Sequence, residues 1–172
     1  MKRLRTRVSD LDQRRRHRST ARAMLSLDPE PESWLDIGTG DARFPAVAKE
    51  LFPYTSFDGL DTTTAVLGAR EAERVEEAYL GTPSDPHITK ALTARYDVVS
   101  VLNPVKDLAA ALTFLRPGGH LLMETATAGA AEAVRTELAA RDCTLLPTNR
   151  HPALDRLSRT TRVIARRDPS PA

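Results

Sequence analysis

The sequence predicts a single doubly wound α/β domain, with a mostly parallel seven-stranded sheet and helices on both of its faces. Short apolar runs typical of strands alternate with helical patterns between residues 33 and 165. A chain of 172 residues has the length of one domain with one core. The last two strand-like runs have no long helical pattern between them, which favours an antiparallel strand at the end of the sheet.

The predicted strands are short runs rich in β-branched and other apolar residues. They cover residues 33–37, 56–60, 75–80, 96–102, 120–125, 144–146 and 160–165. The run 96–102 is the clearest because it contains Val98, Val99 and Val101, whereas Glu76 and Glu77 weaken the third strand.

The predicted helices lie between the strands and have apolar residues at helical spacing. They cover residues 43–51, 62–73, 106–115 and 130–141, while residues 86–94 are either a loop or a helix. Thr62 is suited to cap the second of these helices, and the proline and two glycines of residues 116–119 predict a turn before the fifth strand.

Charge divides the chain into a basic segment and a mildly acidic body. Residues 1–23 hold nine Lys or Arg against two Asp, a net charge of +7, and the whole chain carries +2, so the remaining residues carry −5. We expect a basic helical arm over residues 1–28, with its helix running from an N-cap at Ser9 to residue 27. The folded domain then spans residues 29–167, and residues 168–172 form a flexible tail.

The basic arm admits three interpretations. It could bind the phosphates of a nucleic acid, contact an acidic partner or the second subunit of a homodimer, or present a solvated helix face. Residues 1–23 contain no Phe, Tyr or Trp, which argues against stacking on bases.

Composition excludes several classes of protein. No apolar run approaches the roughly 18 residues needed to cross a membrane, and no apolar stretch of a secretory signal follows the Arg-rich start. Cys143 is the only cysteine, which fits the reducing cytoplasm, and the four histidines lack the spacing of metal ligands. We therefore expect a cytoplasmic protein without membrane segments or a bound metal.

Polar residues follow three of the predicted strands. Asp36, Asp61 and Asn103 all stand at strand carboxyl ends. In open parallel sheets, ligands bind outside these ends, near the point where the strand order reverses. The sequence therefore predicts a binding site at this rim of the sheet.

Gly38 and Gly40 form a bend between the first strand and the helix that follows it. Glycine allows a close approach of the backbone to a ligand, and a helix N-terminus favours an anionic group. Asp61 lies about 20 residues beyond Gly40, the spacing at which an acid binds the hydroxyls of an adenosine ribose. A dinucleotide site would need a third glycine where Arg43 stands, whereas Asp36 suits a cationic ammonium group.

Four segments, in order, resemble those of class I S-adenosylmethionine-dependent methyltransferases, which have a Rossmann-like fold. Residues 35–42 resemble the first motif D-x-G-x-G-x-G, and residues 57–61 resemble the second strand with its ribose-binding acid. Residues 96–100 resemble the fourth strand, and residues 115–121 resemble the L-x-P-G-G-x-L turn. The resemblance extends over residues 33–165.

The resemblance implies S-adenosylmethionine as the cofactor and S-adenosylhomocysteine as the product. Gly38 and Gly40 would line the methionine end, with Asp36 near its amino group. Asp61 would hold the ribose hydroxyls and Thr62 would lie beside the adenine.

Each of two further positions has two possible roles. Asp85 would meet the adenine amino group, or it belongs to an ordinary turn. Asn103 begins an Asn-Pro-Val-Lys segment that partly resembles the N-P-P-aromatic motif of enzymes that methylate planar nitrogens, so it would orient the acceptor, or it only starts a turn.

The chain also departs from the family. Ala42 replaces the third glycine of the first motif, which is tolerable provided that the position does not need a positive φ. Only residues 126–129 connect the fifth strand to the last helix, so the site is open unless the arm or a partner covers it. No general base stands out. We therefore keep three hypotheses: a methyltransferase with an unidentified acceptor, a catalytically silent partner or binding subunit, and an RNA methyltransferase that uses the arm.

Overall fold

The computed structural model describes residues 2–102, 108–148 and 160–169, with side chains from residue 10 onward. Asn103 lies outside the described residues. Within these ranges the strands are β1 (Ser33–Ile37), β2 (Ser56–Asp61), β3 (Ala78–Leu80), β4 (Tyr96–Val101), β5 (Leu115–Thr125), β6 (Cys143–Leu146) and β7 (Thr161–Arg167). The helices are α1 (Lys2–Arg22), α2 (Arg43–Ala48), α3 (Ala65–Glu71), α4 (Pro86–Leu92), α5 (Leu108–Thr113) and α6 (Ala128–Ala139).

The seven strands form one sheet in the order β3-β2-β1-β4-β5-β7-β6. The first five strands are parallel, and β7 is antiparallel to both of its neighbours. The predicted mixed sheet is therefore confirmed. The strand order reverses beside β1, so the switch point lies between the carboxyl ends of β1 and β4.

Successive side chains of the strands fill two cores on opposite faces of the sheet. Trp34 and Val98 are fully buried on the face that α1 and α2 cover, together with Phe44. Leu35 and Val99 are fully buried on the other face, which α4, α5 and α6 cover. Trp34 and Phe44 thus contribute to the packing of this face of the sheet.

The N-terminal helix is longer at its start than predicted, and it is docked on the domain. It begins at Lys2 and ends at Arg22, so the prediction of Ser9 as its N-cap is wrong. The residues before Ser9 include no Gly or Pro that would stop a helix. Ala21, near the end of α1, and Met24, just beyond it, are fully buried in the core on this face of the sheet.

Several predicted boundaries shift. Helix α3 begins at Ala65 rather than at Thr62, and residues 86–94 contain helix α4. The predicted turn at residues 116–119 lies within the extended β5, where the pairing with β4 is irregular and Gly118 has a φ of 83°. Among the described helices, none is both long and apolar enough to cross a membrane.

Candidate functional site

The bend after β1 is a strained backbone segment at the predicted rim. Gly38, Gly40 and Ala42 have φ values of 72°, 56° and 56°, so all three lie in the left-handed region. Alanine replaces the third glycine without strain only where a positive φ is not needed, and Ala42 has a positive φ. The Ala42 side chain is fully buried against Ala69 and Val75, which offsets part of the backbone cost.

Gly59 of β2 lets this bend pack closely against the sheet. It pairs in register with Asp36, and a Cβ on it would lie 2.8 Å from Cγ2 of Thr39 and 3.2 Å from Cγ2 of Val66. Any larger residue would force the Thr39 side chain to move, because real Cβ contacts are not this short. Gly59 therefore supports the site from the neighbouring strand.

Asp61 connects the bend to the start of α3. Its Oδ2 accepts a hydrogen bond from the Gly40 amide at 2.8 Å, and its Oδ1 accepts from the amide and hydroxyl of Thr63 at 2.8 and 2.7 Å. Burial acts to raise the pKa of Asp61, but these hydrogen bonds outweigh it and lower that pKa below its usual value. The carboxylate is thus ionised at neutral pH and held by backbone.

Asp36 lies in a different environment. It is 3% exposed, and its Oδ1 accepts from the hydroxyl of Ser100 at 2.6 Å, while that hydroxyl accepts from Nε1 of Trp34 at 2.9 Å. Burial raises the pKa of Asp36 to about 7, although the Ser100 hydrogen bond opposes the rise. Among the described residues, no cationic side chain forms an ion pair with Asp36.

The structure brings Asp36, Gly38, Gly40 and Asp61 together and leaves the other predicted residues in different positions. Thr62 directly follows Asp61 and is exposed. Asp85 caps α4 through a hydrogen bond from the His87 amide at 3.0 Å, and its carboxylate lies near Gly81, whose amide bonds the Asp61 carbonyl at 2.9 Å. It is therefore on the same rim, but its own side chain serves as a helix cap.

A cavity of about 280 Å³ opens between the bend and helix α1. Asp36, Gly38 and Gly40 line it, and so do residues that sequence reasoning did not find. These are Gln13, Arg16 and His17 of α1, together with Glu124 at the end of β5. The volume lies near the lower end of the roughly 300–1,000 Å³ of ligand pockets, so the cavity suits one end of a ligand.

Glu124 ties the floor of this cavity to α1 and β7. Its carboxylate accepts hydrogen bonds from the hydroxyl of Thr20 and from Nη2 of Arg162, the latter at 3.2 Å. Arg162 and Thr20 are almost completely buried. The sequence contained a signal for Glu124, because this acid follows the apolar run of β5 just as Asp36 and Asp61 stand at the ends of their strands.

His17 and the ion pairs of α1 hold this helix over the cavity. The His17 ring meets Phe44 edge-on at a centroid distance of 5.7 Å, and burial lowers the pKa of His17 below its usual value. Arg14 and Arg18 form ion pairs with Glu50 at 2.6 Å each. The arm therefore covers the rim, and the described residues contain no cluster of side chains that could hold a metal ion.

Comparison with known proteins identifies the family. The model of a methyltransferase domain family matches residues 10–161. No curated protein matches the chain in sequence. A chain of the complex between the Haloferax volcanii Trm112 methyltransferase activator and a methyltransferase superposes with a TM-score of 0.68 at 15% identity, over 95% of both chains.

Two other solved structures share the fold at low identity. The Burkholderia thailandensis 1,6-didemethyltoxoflavin-N1-methyltransferase, with 1,6-didemethyltoxoflavin and S-adenosylhomocysteine bound, has a TM-score of 0.57 at 20% identity, over 87% of this chain and 76% of that one. The CurJ carbon methyltransferase has a TM-score of 0.62 at 18% identity, over 82% of this chain and only 50% of its own. The predicted resemblance to class I methyltransferases is confirmed, and this chain belongs to the methyltransferase domain family.

Proposed function

We propose that this protein is an S-adenosylmethionine-dependent methyltransferase whose cofactor binds along the rim formed by Asp36, Gly38, Gly40 and Asp61. The observation that carries the proposal is the buried Asp36 carboxylate, which lines the cavity and has no cationic partner among the described residues. Burying an ionised acid without a counter-ion is unfavourable, and a ligand with a cationic group would supply that counter-ion to Asp36. The ammonium of a methionine moiety is such a group.

The adenosine side of the proposal rests on Asp61. Each carboxylate oxygen can accept two hydrogen bonds, so the three bonds from Gly40 and Thr63 leave one acceptor site, on Oδ2, for a ribose hydroxyl. Because these bonds keep Asp61 ionised and oriented, its Oδ2 is preorganised to accept a hydroxyl donor. Thr62 and Asp85 remain proposed contacts of the adenine, on the same rim.

When bound, the cofactor supplies a methyl group on a sulfonium, which an acceptor takes by in-line displacement. The residues of this chain then bind the cofactor and the acceptor and orient them for the displacement. Such positioning accounts for much of the rate enhancement in a reaction of this kind. Leu102, Glu124 and Thr160 also line the cavity and are proposed to face the acceptor. Asn103, the next residue after Leu102, stays a proposed acceptor contact.

Thermal unfolding with S-adenosylhomocysteine tests the proposal. A ligand that binds only the folded state stabilises it by about 2.7 kcal/mol at a concentration of 100 Kd, which corresponds to a rise in Tm of about 5–10 °C for a chain of this size. We expect this rise with S-adenosylhomocysteine and none with NAD. An unchanged Tm with S-adenosylhomocysteine at millimolar concentration would reject the cofactor assignment.

A second candidate is a catalytically silent methyltransferase-fold subunit. The left-handed Ala42 in the first motif and the structural similarity to a methyltransferase–activator complex favour it. Stable co-purification with a partner, together with no binding of S-adenosylhomocysteine by the complex, would support this candidate over the enzyme. An RNA methyltransferase is the weaker alternative, because Arg14 and Arg18 of the arm are already paired with Glu50.

A further inference from the structure

The proposed cofactor ends in an amino acid, and an amino acid carries two charges. The proposed function assigns its ammonium to Asp36 but gives no partner to its carboxylate. The identity of the missing partner is therefore inferred on the basis of that proposed function. A carboxylate in a partly enclosed cavity needs hydrogen-bond donors, preferably charged ones.

The backbone of the glycine bend is a poor source of such donors. The amides of Gly38 and Thr39 both donate to the carbonyl of Leu60, at 2.8 and 3.3 Å. The amide of Gly40 donates to Asp61 at 2.8 Å. An N–H that is already bonded within the protein offers little to a ligand, so these three amides are poor donors to the carboxylate and a charged side chain is the stronger candidate.

Most charged side chains around the cavity are already paired. Arg43 bonds Asp41 at 2.9 Å and Asp10 at 3.2 Å. Glu124 bonds the buried Arg162 at 3.2 Å. These groups balance one another, and neither Arg43 nor Glu124 is left with an unmatched charge.

Two charged residues of the cavity remain after this pairing, and they have opposite signs. One is Asp36, and the other is Arg16, for which no hydrogen bond or ion pair is found among the described residues. His17 also lines the cavity, but burial lowers its pKa and favours the neutral ring. One unmatched acid and one unmatched base in one cavity match the two charges of a zwitterion.

The helix face that carries Arg16 is fixed over the cavity by its neighbours. Gln13, Arg16 and His17 are spaced three and four residues apart, so they share one face of α1. The Gln13 side chain accepts from Nη1 of Arg43 at 3.4 Å, and the His17 ring contacts Phe44. These contacts flank Arg16 on both sides and direct its face of the helix toward the bend.

We propose that Arg16 binds the carboxylate of the cofactor's amino acid, so that Asp36 and Arg16 together recognise its zwitterionic end. Helix α1 is then a wall of the cofactor site as well as its cover. Arg16 is exposed, so its interaction with the ligand is partly screened by water and by salt. Its contribution is smaller than that of the buried Asp36.

The experiment is calorimetric titration of the full chain with two ligands, S-adenosylhomocysteine and its decarboxylated analogue, which keeps the amine. The variants are Arg16→Met and, as a matched control, Arg15→Met, whose side chain is on the same helix and does not line the cavity. We expect Arg16→Met to lower the affinity for S-adenosylhomocysteine by about 5- to 20-fold. The decarboxylated analogue should bind wild type and Arg16→Met equally, and Arg15→Met should match wild type with both ligands.

The outcomes separate this inference from the proposed function. If wild type does not bind S-adenosylhomocysteine, the proposed function fails and the role of Arg16 fails with it. If wild type binds and Arg16→Met binds equally well, only the role of Arg16 is rejected. An equal loss of affinity for both ligands in Arg16→Met would also reject the role of Arg16, because a contact with the carboxylate cannot affect a ligand that lacks it.

Discussion

The two carboxylates of the rim, Asp61 on β2 and Asp36 on β1, differ in how the protein treats their charge. Asp61 accepts three hydrogen bonds from Gly40 and Thr63, and its pKa is lowered. Asp36 is buried, accepts from Ser100, and has a pKa raised to about 7. The charge of Asp61 is thus stabilised by several hydrogen bonds within the free protein, whereas the charge of Asp36 is buried without a counter-ion among the described residues.

The two carboxylates therefore differ in their expected contributions: that of Asp61 is partly structural, whereas that of Asp36 is to binding alone. Asp61 holds the glycine bend in place and therefore contributes to folding as well as to the proposed ligand site. Asp36 costs folding free energy when it is ionised, because its charge is removed from water without a counter-ion. A residue that destabilises the free protein and lines a cavity is a strong candidate for binding.

The largest effect is expected for Asp36→Asn, which keeps the acceptor for Ser100 and removes the charge. Loss of one partner of a buried charge pair costs about 2–5 kcal/mol, so S-adenosylhomocysteine should bind at least about 30-fold more weakly. The same variant should be more stable than wild type at pH 8. A shift in pKa from 3.8 to about 7 corresponds to a cost of up to about 4 kcal/mol for the ionised form.

The stability difference should also depend on pH. The folded-state pKa of Asp36 is raised, so its contribution to stability is present below pH 4 and is lost as the pH rises to about 7. Urea unfolding of wild type and Asp36→Asn at pH 5 and pH 8 checks this. A variant that is less stable than wild type at pH 8 would contradict the assignment of Asp36 as a binding residue that strains the fold.

An intermediate effect is expected for Asp61→Asn, which places an amide NH₂ where the carboxylate accepts from Gly40 or Thr63. We expect a loss of stability of about 1–3 kcal/mol, because one donor then faces another donor. Binding of S-adenosylhomocysteine should weaken about 10- to 100-fold. Equal or greater stability of Asp61→Asn in urea unfolding would remove the distinction between the two carboxylates.

The smallest effect is expected for Ala42→Gly, in the bend that both carboxylates flank. Relief of the left-handed strain gains about 1–2 kcal/mol, whereas the lost methyl burial costs about 0.8 kcal/mol and the freer unfolded chain costs about 0.4–1 kcal/mol. These terms nearly cancel, so Tm should change little. Ala42→Val is the contrasting variant, since a β-branched side chain at a φ of 56° in a packed site should cost about 2–4 kcal/mol.

Much of the fold and half of the site could be predicted from local patterns. The strand containing Val98, Val99 and Val101 was clear because buried parallel strands are continuous apolar runs. Asp36 and Asp61 were found because they stand at the carboxyl ends of predicted parallel strands, where open sheets of this kind bind ligands. Ser100, the only polar residue within that valine run, was an unused signal of the same kind.

The contribution of α1 could not be read from its sequence. The helix is polar on most sides, so no apolar stripe indicates which face meets the domain. Contacts such as that between His17 and Phe44 depend on the tertiary arrangement. The left-handed conformation of Ala42 was likewise hidden, because the residue type alone predicts an ordinary φ.

The most direct test of Asp36 as the ammonium-binding residue is the affinity of wild type for S-adenosylhomocysteine between pH 5.5 and 7.5. If the ligand ammonium binds the ionised Asp36, the affinity should fall about 20-fold as the pH is lowered from 7.5 to 5.5 and Asp36 takes up a proton. His17→Gln should retain this dependence, because burial lowers the pKa of His17, while the weaker binding of Asp36→Asn should be nearly independent of pH. A wild-type affinity that stays constant from pH 5.5 to 7.5 would contradict the account.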